Sequence, residues 1–220
     1  MTRPRLDPAD LSSATGVISV ERLPKPVRDF GCYPDVGRLQ AGDLILVSPV
    51  VKRRNAIAIE RVQRQNQDAF DAQWIHAATY LGDNSLVEID GGGVSVTDLH
   101  KYVPSHRILV RRALHLSGED VGELIGYRIA VAALKAFKTK YGYVDLARIY
   151  LRTQQWRSAH NRFRPKSAAE AICSDYYNDA VAQVLGRGAA SAKRNPFTPA
   201  DLSASANMKD VEVPWARLQT

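Results

Sequence analysis

Three residues in this chain have the types and local settings that nucleophilic acyl chemistry needs: His76, Glu88 twelve positions later, and Cys173 in the last quarter. A thiol attacks a carbonyl as its thiolate, which a helix N-terminus and a neighbouring imidazolium favour. An imidazole that takes and returns a proton must be held in one tautomer, and a carboxylate on its far nitrogen does this. Cys173 therefore reads as nucleophile, His76 as base and Glu88 as orienting carboxylate, with Asp90 in reserve. Each residue also has an ordinary reading. A cysteine on an apolar helix face commonly acts as a small hydrophobe, a strand histidine is commonly a satisfied half-buried side chain, and a glutamate is commonly solvated.

The elements that must bring the three together are legible in outline. Residues 75–81 and 86–89 alternate as strands around Gly82-Asp83-Asn84-Ser85, which is turn chemistry, so His76 and Glu88 fall on the two arms of one hairpin. Strand side chains alternate, so whether the two share a face depends on the hairpin register. Ser167 and Glu170 have capping-box spacing, and Ile172, Tyr176, Ala180 and Val184 recur at helical period, which puts Cys173 near the start of a helix. A cap at Ser167 places it in the second turn, where the dipole is weaker.

The rest of the chain supplies the frame. Residues 42–47 give a buried strand bounded by Pro49, and Asn55 is placed to cap a short helix that ends before Asp68. Short strands are expected at 94–96 and 107–111, with a helical turn at 98–102 between them. Ser117 with Asp120 suggests a second capping box, opening a helix whose stripe is Val121, Leu124, Ile125, Ile129, Ala132, Ala133 and Phe137. A further helix is expected over 144–156, and the proline-interrupted tail is too broken for long elements. Residues 1–40 show no sustained period and read as an extension packed irregularly on a domain spanning 41–220.

Composition sets the limits. A chain of 220 residues that is 45% hydrophobic builds one good core. It has no apolar run of about 18 residues and no apolar segment of signal type near its start, so a cytoplasmic location is expected, with export requiring a specialised route. Two cysteines, Cys32 and Cys173, are too few for a disulfide framework, although they are enough for one bond. The net charge of +7 is spread over several clusters and suits encounter with anionic targets, an anionic membrane surface among them. Tyr141, Tyr143, Tyr150, Trp156 and Phe163 interleave with arginines, a pattern that single-stranded nucleic acid would fit but that a basic amphipathic helix explains more simply, so nucleic acid is not the expected partner. His100 and His106 lack further ligands at zinc spacing, and Gly91-Gly92-Gly93 lacks the lysine of a phosphate loop.

In order along the chain, Gly42-Asp43-Leu44-Ile45, the segment from Trp74 to Ile89, Cys173-Ser174-Asp175-Tyr176-Tyr177 and Phe197-Thr198-Pro199-Ala200-Asp201-Leu202 resemble the NlpC-type papain-like cysteine hydrolases. The order of histidine before cysteine is that of their circularly permuted branch, the YiiX/YebB-like group. The chain departs from that pattern at Ala77-Ala78 after the histidine, at Asp175 and at Tyr176-Tyr177. The resemblance implies an α+β permuted papain-like fold, with an antiparallel barrel-like sheet packed against helices. It implies Cys173, His76 and Glu88 as the catalytic set of a cysteine peptidase or amidase, and the Cys173 backbone N–H in the oxyanion hole. It requires no metal or cofactor. The implied substrate is a peptide or isopeptide bond, such as one in a peptidoglycan fragment. Hydrolysis or transfer of a lipid acyl group on the same triad is the alternative, and a non-catalytic basic binding module is the remaining class.

Overall fold

Leu44, Ile45, Leu46 and Val47 are fully buried because their strand has hydrophobic layers on both faces, which is why it reads as a continuous apolar run without alternation. In the computed structural model, which describes residues 3–12, 14–90, 93–135, 168–190 and 197–219, two sheets form. In chain order the strands are β1 (Val17–Ile18), β2 (Cys32–Pro34), β3 (Leu44–Pro49), β4 (His76–Gly82), β5 (Ser85–Asp90), β6 (Gly93–Asp98), β7 (His106–Ala113), β8 (Met208–Val211) and β9 (Trp215–Leu218). The main sheet is antiparallel throughout, in the order β6-β5-β4-β3-β7-β8. It is open, ending at β6 and β8, so the barrel-like closure expected from the sequence is not formed. The architecture is α+β.

The helices are α1 (Lys25–Phe30), α2 (Arg54–Gln63), α3 (Ala69–Ala72), α4 (Glu123–Lys135), α5 (Ala168–Leu185) and α6 (Pro199–Ser203). Helices α4 and α5 cover one face of the sheet, where Leu44, Leu46, Ala77, Val87 and Leu109 meet Ile129, Ala133, Tyr177 and Val181. The other face, with Ile45, Val47, Ala78, Tyr80 and Ile108, is covered by the first forty residues through Leu6, Leu23, Val27 and Tyr33. Where no period was legible, the chain builds a three-stranded sheet in which β9 runs parallel to β1 and antiparallel to β2.

Two capping expectations are corrected. The residue before α2 is Arg53, with no side-chain cap, so Asn55 lies inside the helix. Helix α4 starts at Glu123: Ser117 instead donates to the Glu119 carboxylate at 3.3 Å, and Asp120 bridges back to Leu114 and pairs with Lys209. Tertiary pairing of the 114–120 turn thus outcompetes the local cap. Leu124, counted in the buried stripe by spacing, is 73% exposed, while Ile129, Ala132 and Ala133 are buried. Phe137, the expected helix over 144–156, the aromatic and arginine segment and the Ser167 cap lie outside the described residues.

The turn that leads into β3 is set by a close approach. A Cβ on Gly42 would stand 2.3 Å from the carbonyl oxygen of Gly126 in α4, and Gly42 has φ +88°. Gly42→Ala is therefore expected to cost about 3 kcal/mol or more, since backbone strain and overpacking combine. Gly31→Ala, with φ +74° but nothing within 4 Å, carries the strain alone and is expected to cost about 1–2 kcal/mol. Urea unfolding of both variants gives the comparison.

Candidate active site

The hairpin resolves the register question. Asp83 and Asn84 have φ 48° and 61°, the two left-handed residues of a tight hairpin turn, and Ala78 pairs with Glu88. His76 and Ala78 share a face, so Glu88 is the diagonal neighbour of His76 on that face, a separation that long side chains span. His76 Nε2 lies 2.9 Å from Glu88 Oε2. An ionised carboxylate only accepts, so Nε2 is the donor and Nδ1 is left for another partner.

Glu88 is completely buried, and its two oxygens are saturated. Oε2 also accepts from the Tyr102 hydroxyl, while Oε1 accepts from Thr97 Oγ1 at 2.7 Å and from the Lys101 ammonium. Burial by itself pushes this carboxyl upward, but His76, Lys101 and Tyr102 overcome that and hold it well below the usual carboxylate range. It is thus a fixed negative charge. Thr97, Lys101 and Tyr102 were not singled out from the sequence. The signal for Thr97 was there: residues 93–98 alternate as a strand that must pair with the Glu88 strand, and Glu88 falls opposite Ser95 with Thr97 two residues on.

The cysteine arrives from the other side. Helix α5 packs over β4 and β5, and Cys173 belongs to the hydrophobic layer that includes Ala77, Val87 and Ile89. His76 is the first residue of its strand, at the end of the sheet, so its ring meets groups from both layers. It hydrogen-bonds with Cys173 as well as with Glu88. Burial opposes a charge on this imidazole, yet the interactions with Cys173 and Glu88 outweigh it and raise its pKa to about 10. The three sequence-selected residues therefore form one contiguous chain, Cys173 to His76 to Glu88. The side chain of Asp90, the reserve carboxylate, lies outside the described positions.

Two details bear on how the sulfur could react. Cys173 is at least the sixth residue of its helix, in the second turn as a start near Ser167 implied, and beyond the four residues whose N–H groups lack intrahelical acceptors. Its N–H is therefore committed to the helix, not free as an oxyanion donor, and the dipole contributes little there. The electrostatics at the sulfur therefore rest on the His76 imidazolium, whose charge Glu88 stabilises. The second detail is burial: Cys173 is 1% exposed and Cys32 7% exposed, neither in a disulfide and each in a different hydrophobic cluster.

The residues that follow Cys173 act as anchors. Ser174 Oγ donates to the Phe197 carbonyl at 2.7 Å, and Asp175 accepts from the Phe197 N–H at 2.9 Å. Burial raises Asp175 to about 6 despite that bond. Thr198 and Asp201 form a reciprocal capping box on α6, and Gln67 and Gln63 tie α6 to the helices before the hairpin. Tyr176 donates to the Ala133 carbonyl and Tyr177 to the Gly42 carbonyl, fixing α5 to α4 and to the turn before β3. The short motifs around Gly42, Cys173 and Thr198 thus form one bracing system that fixes the helix carrying the sulfur.

Among the described residues, no group of three His, Cys, Asp or Glu side chains converges as metal ligands would, and no helix is long and apolar enough to cross a membrane. His106 instead packs edge-on against the Tyr102 ring at 5.1 Å, and Ser105 Oγ lies 2.8 Å from its Nδ1. No protein-family model matches this chain, and a search of curated proteins finds no match.

Proposed function

We propose that this chain is a cysteine hydrolase acting on an amide bond, with Cys173 as nucleophile, His76 as acid and base, and Glu88 as the residue that orients and charges the imidazole. The observation that carries this reading is the His76 ring held between the thiol of Cys173 and a carboxylate saturated by four donors. A satisfied core histidine has no need of a permanently ionised, buried partner, whereas a general acid that must hold its proton until the leaving group needs it does.

In this mechanism the Cys173 sulfur attacks the carbonyl carbon and the C–N bond breaks. His76 Nδ1 delivers its proton to the departing amine, leaving a thioester. Water then attacks the thioester while His76 takes its proton and returns it to sulfur, releasing the carboxylic acid. The geometry is equally compatible with an ester carbonyl. Lipid acyl hydrolysis or transfer is the second reading, favoured by Val51, 82% exposed beside Lys52 and Arg53 in the loop that leaves β3 at the His76 end of the sheet.

The test is thiol mapping by mass spectrometry with a small alkylating probe at neutral pH. Cys173 is expected to label faster than Cys32 despite its lower exposure, and His76→Ala is expected to slow Cys173 while leaving Cys32 unchanged. Equal labelling of the two cysteines, unaffected by His76, would sink the reading. Because His76 must be protonated to serve the leaving group, turnover is expected to fall as pH rises through about 10.

A further inference from the structure

Helix α2 turns one aliphatic side chain outward. Its buried positions are Ala56, Glu60 and Gln63 and its Ile59 and Val62 are half-buried, while Ile57 is 52% exposed. The inward polar groups are all employed: Glu60 pairs with Lys52 and Arg64, and Gln63 bonds the carbonyls of Ala72 and Trp74 and the N–H of Ala200. A soluble helix normally turns its aliphatic side chains inward, so the outward Ile57 has no account in the packing of the chain.

The loop leading into α2 repeats the pattern. Val51 is 82% exposed and Val50 37% exposed, and Lys52, Arg53 and Arg54 follow directly. Along α2, Arg61 and Arg64 continue the exposed face on which Ile57 lies. From Val50 to Arg64 there are five cationic side chains and one carboxylate, Glu60, which faces inward. Arg53 and Arg54 are exposed and have no carboxylate within ion-pair distance among the described residues.

We propose that the Val50–Arg54 loop and the outer face of α2 are a docking surface for an anionic phospholipid bilayer, with Val51 and Ile57 entering the headgroup and acyl boundary and the surrounding cations meeting lipid phosphates. Charge complementarity alone would suit any polyanion. The aliphatic tips decide for lipid, because valine and isoleucine gain burial at a bilayer boundary and nothing along a phosphodiester chain. The placement suits a membrane-facing enzyme. Val47 pairs with His76, so the loop that follows β3 emerges at the sheet end where the histidine stands. Val50 N–H donates to the Ser105 carbonyl at 2.9 Å, beside His106 and Tyr102. Docking does not depend on the chemistry of Cys173, so it stands or falls separately from the catalytic reading.

The experiment is sedimentation of the full chain with vesicles of phosphatidylcholine, alone or mixed with phosphatidylglycerol. The expected result is retention on the anionic vesicles only, weakened by added salt. Val51→Asp and Ile57→Asp, both at exposed positions that the core does not use, are each expected to weaken retention about tenfold or more. Leu124→Asp, at a position 73% exposed on α4, and Cys173→Ala are expected to bind as the unaltered chain does. Retention by neither vesicle, equal retention by both, or full retention of the Val51→Asp and Ile57→Asp variants would overturn the proposal. So would binding to duplex DNA in place of vesicles, insensitive to both aspartates.

Discussion

Turnover is expected to fall by about a thousandfold or more when Cys173 is replaced by alanine, and by a similar factor for His76→Ala, because each removes one half of a single reacting unit. The double variant is expected to be no worse than either single one, since residues acting as a unit are not additive. Muropeptides and phospholipid vesicles serve as the two substrate arms, with product release followed chromatographically. Activity that survives Cys173→Ala would assign the chemistry elsewhere. The burial of Cys173 adds a kinetic expectation: a reagent reaches a 1% exposed sulfur only in molecules whose cover has opened, so the observed rate combines the opening equilibrium with the reactivity of the pair. Mild denaturant below the unfolding transition is therefore expected to speed labelling of Cys173, and the ratio between unaltered and His76→Ala proteins isolates the contribution of the imidazole.

Glu88→Ala is expected to be the most destabilising single change near the site, at about 3–5 kcal/mol by urea unfolding. It leaves the His76 charge and the Tyr102 hydroxyl without their common acceptor in a buried position, while the exposed Lys101 ammonium can turn to water. Glu88→Gln keeps the shape but loses the charge, and is expected to cost less, about 1–3 kcal/mol. The pH dependence separates a charged role from packing. Glu88 has a depressed folded value, so its contribution is present above its ordinary value of 4.5 and is lost as pH falls through the folded one. His76 has a raised folded value, so its contribution is fully present below 6.5 and is lost as pH rises through about 10. The gap in stability between the unaltered chain and Glu88→Gln is therefore expected to be widest between about pH 4.5 and 6.5 and to narrow toward pH 10. A gap of constant size across that range would show that the carboxylate acts by packing alone.

How much of this was legible differs by element. The hairpin was readable because Gly82 to Ser85 is strong turn chemistry between two apolar arms, and the turn residues Asp83 and Asn84 do take the left-handed conformations it requires. The shared face of His76 and Glu88 was not readable, since it depends on whether Ala78 or another residue stands opposite Glu88, and a slip of one residue would have sent the glutamate to the helix side. The stripe through Tyr176 and Ala180 correctly marked the buried side of α5. The Ser167 signal had already put Cys173 in the second turn, which a helix described from Ala168 matches, so the role that did not carry over is the one the resemblance implied for its backbone N–H. The cap at Ser117 failed because the bridge between Leu114 and Asp120 had already fixed the 114–120 turn, whereas at Asn55 the helix starts one residue earlier than the capping side chain, with Arg53 uncapped before it. The first forty residues were unreadable because strands of two and three residues are too short to show a period, and their partner is β9, at the far end of the sequence.

That last pairing bears on the order of assembly during synthesis. Val17 finds its partner in Arg217, about 200 residues later, and Cys32 in β2 pairs with the same residue from the other side of β9. A ribosome must add about 200 further residues after Val17 before the small sheet closes. Until then Leu23, Val27 and Tyr33 lack the Trp215 and Val213 side of their layer, so this segment settles later than residues made long after it. Shortening the chain by the β9 residues would leave that nascent segment without its mate, with greasy surface uncovered where a holding chaperone would bind.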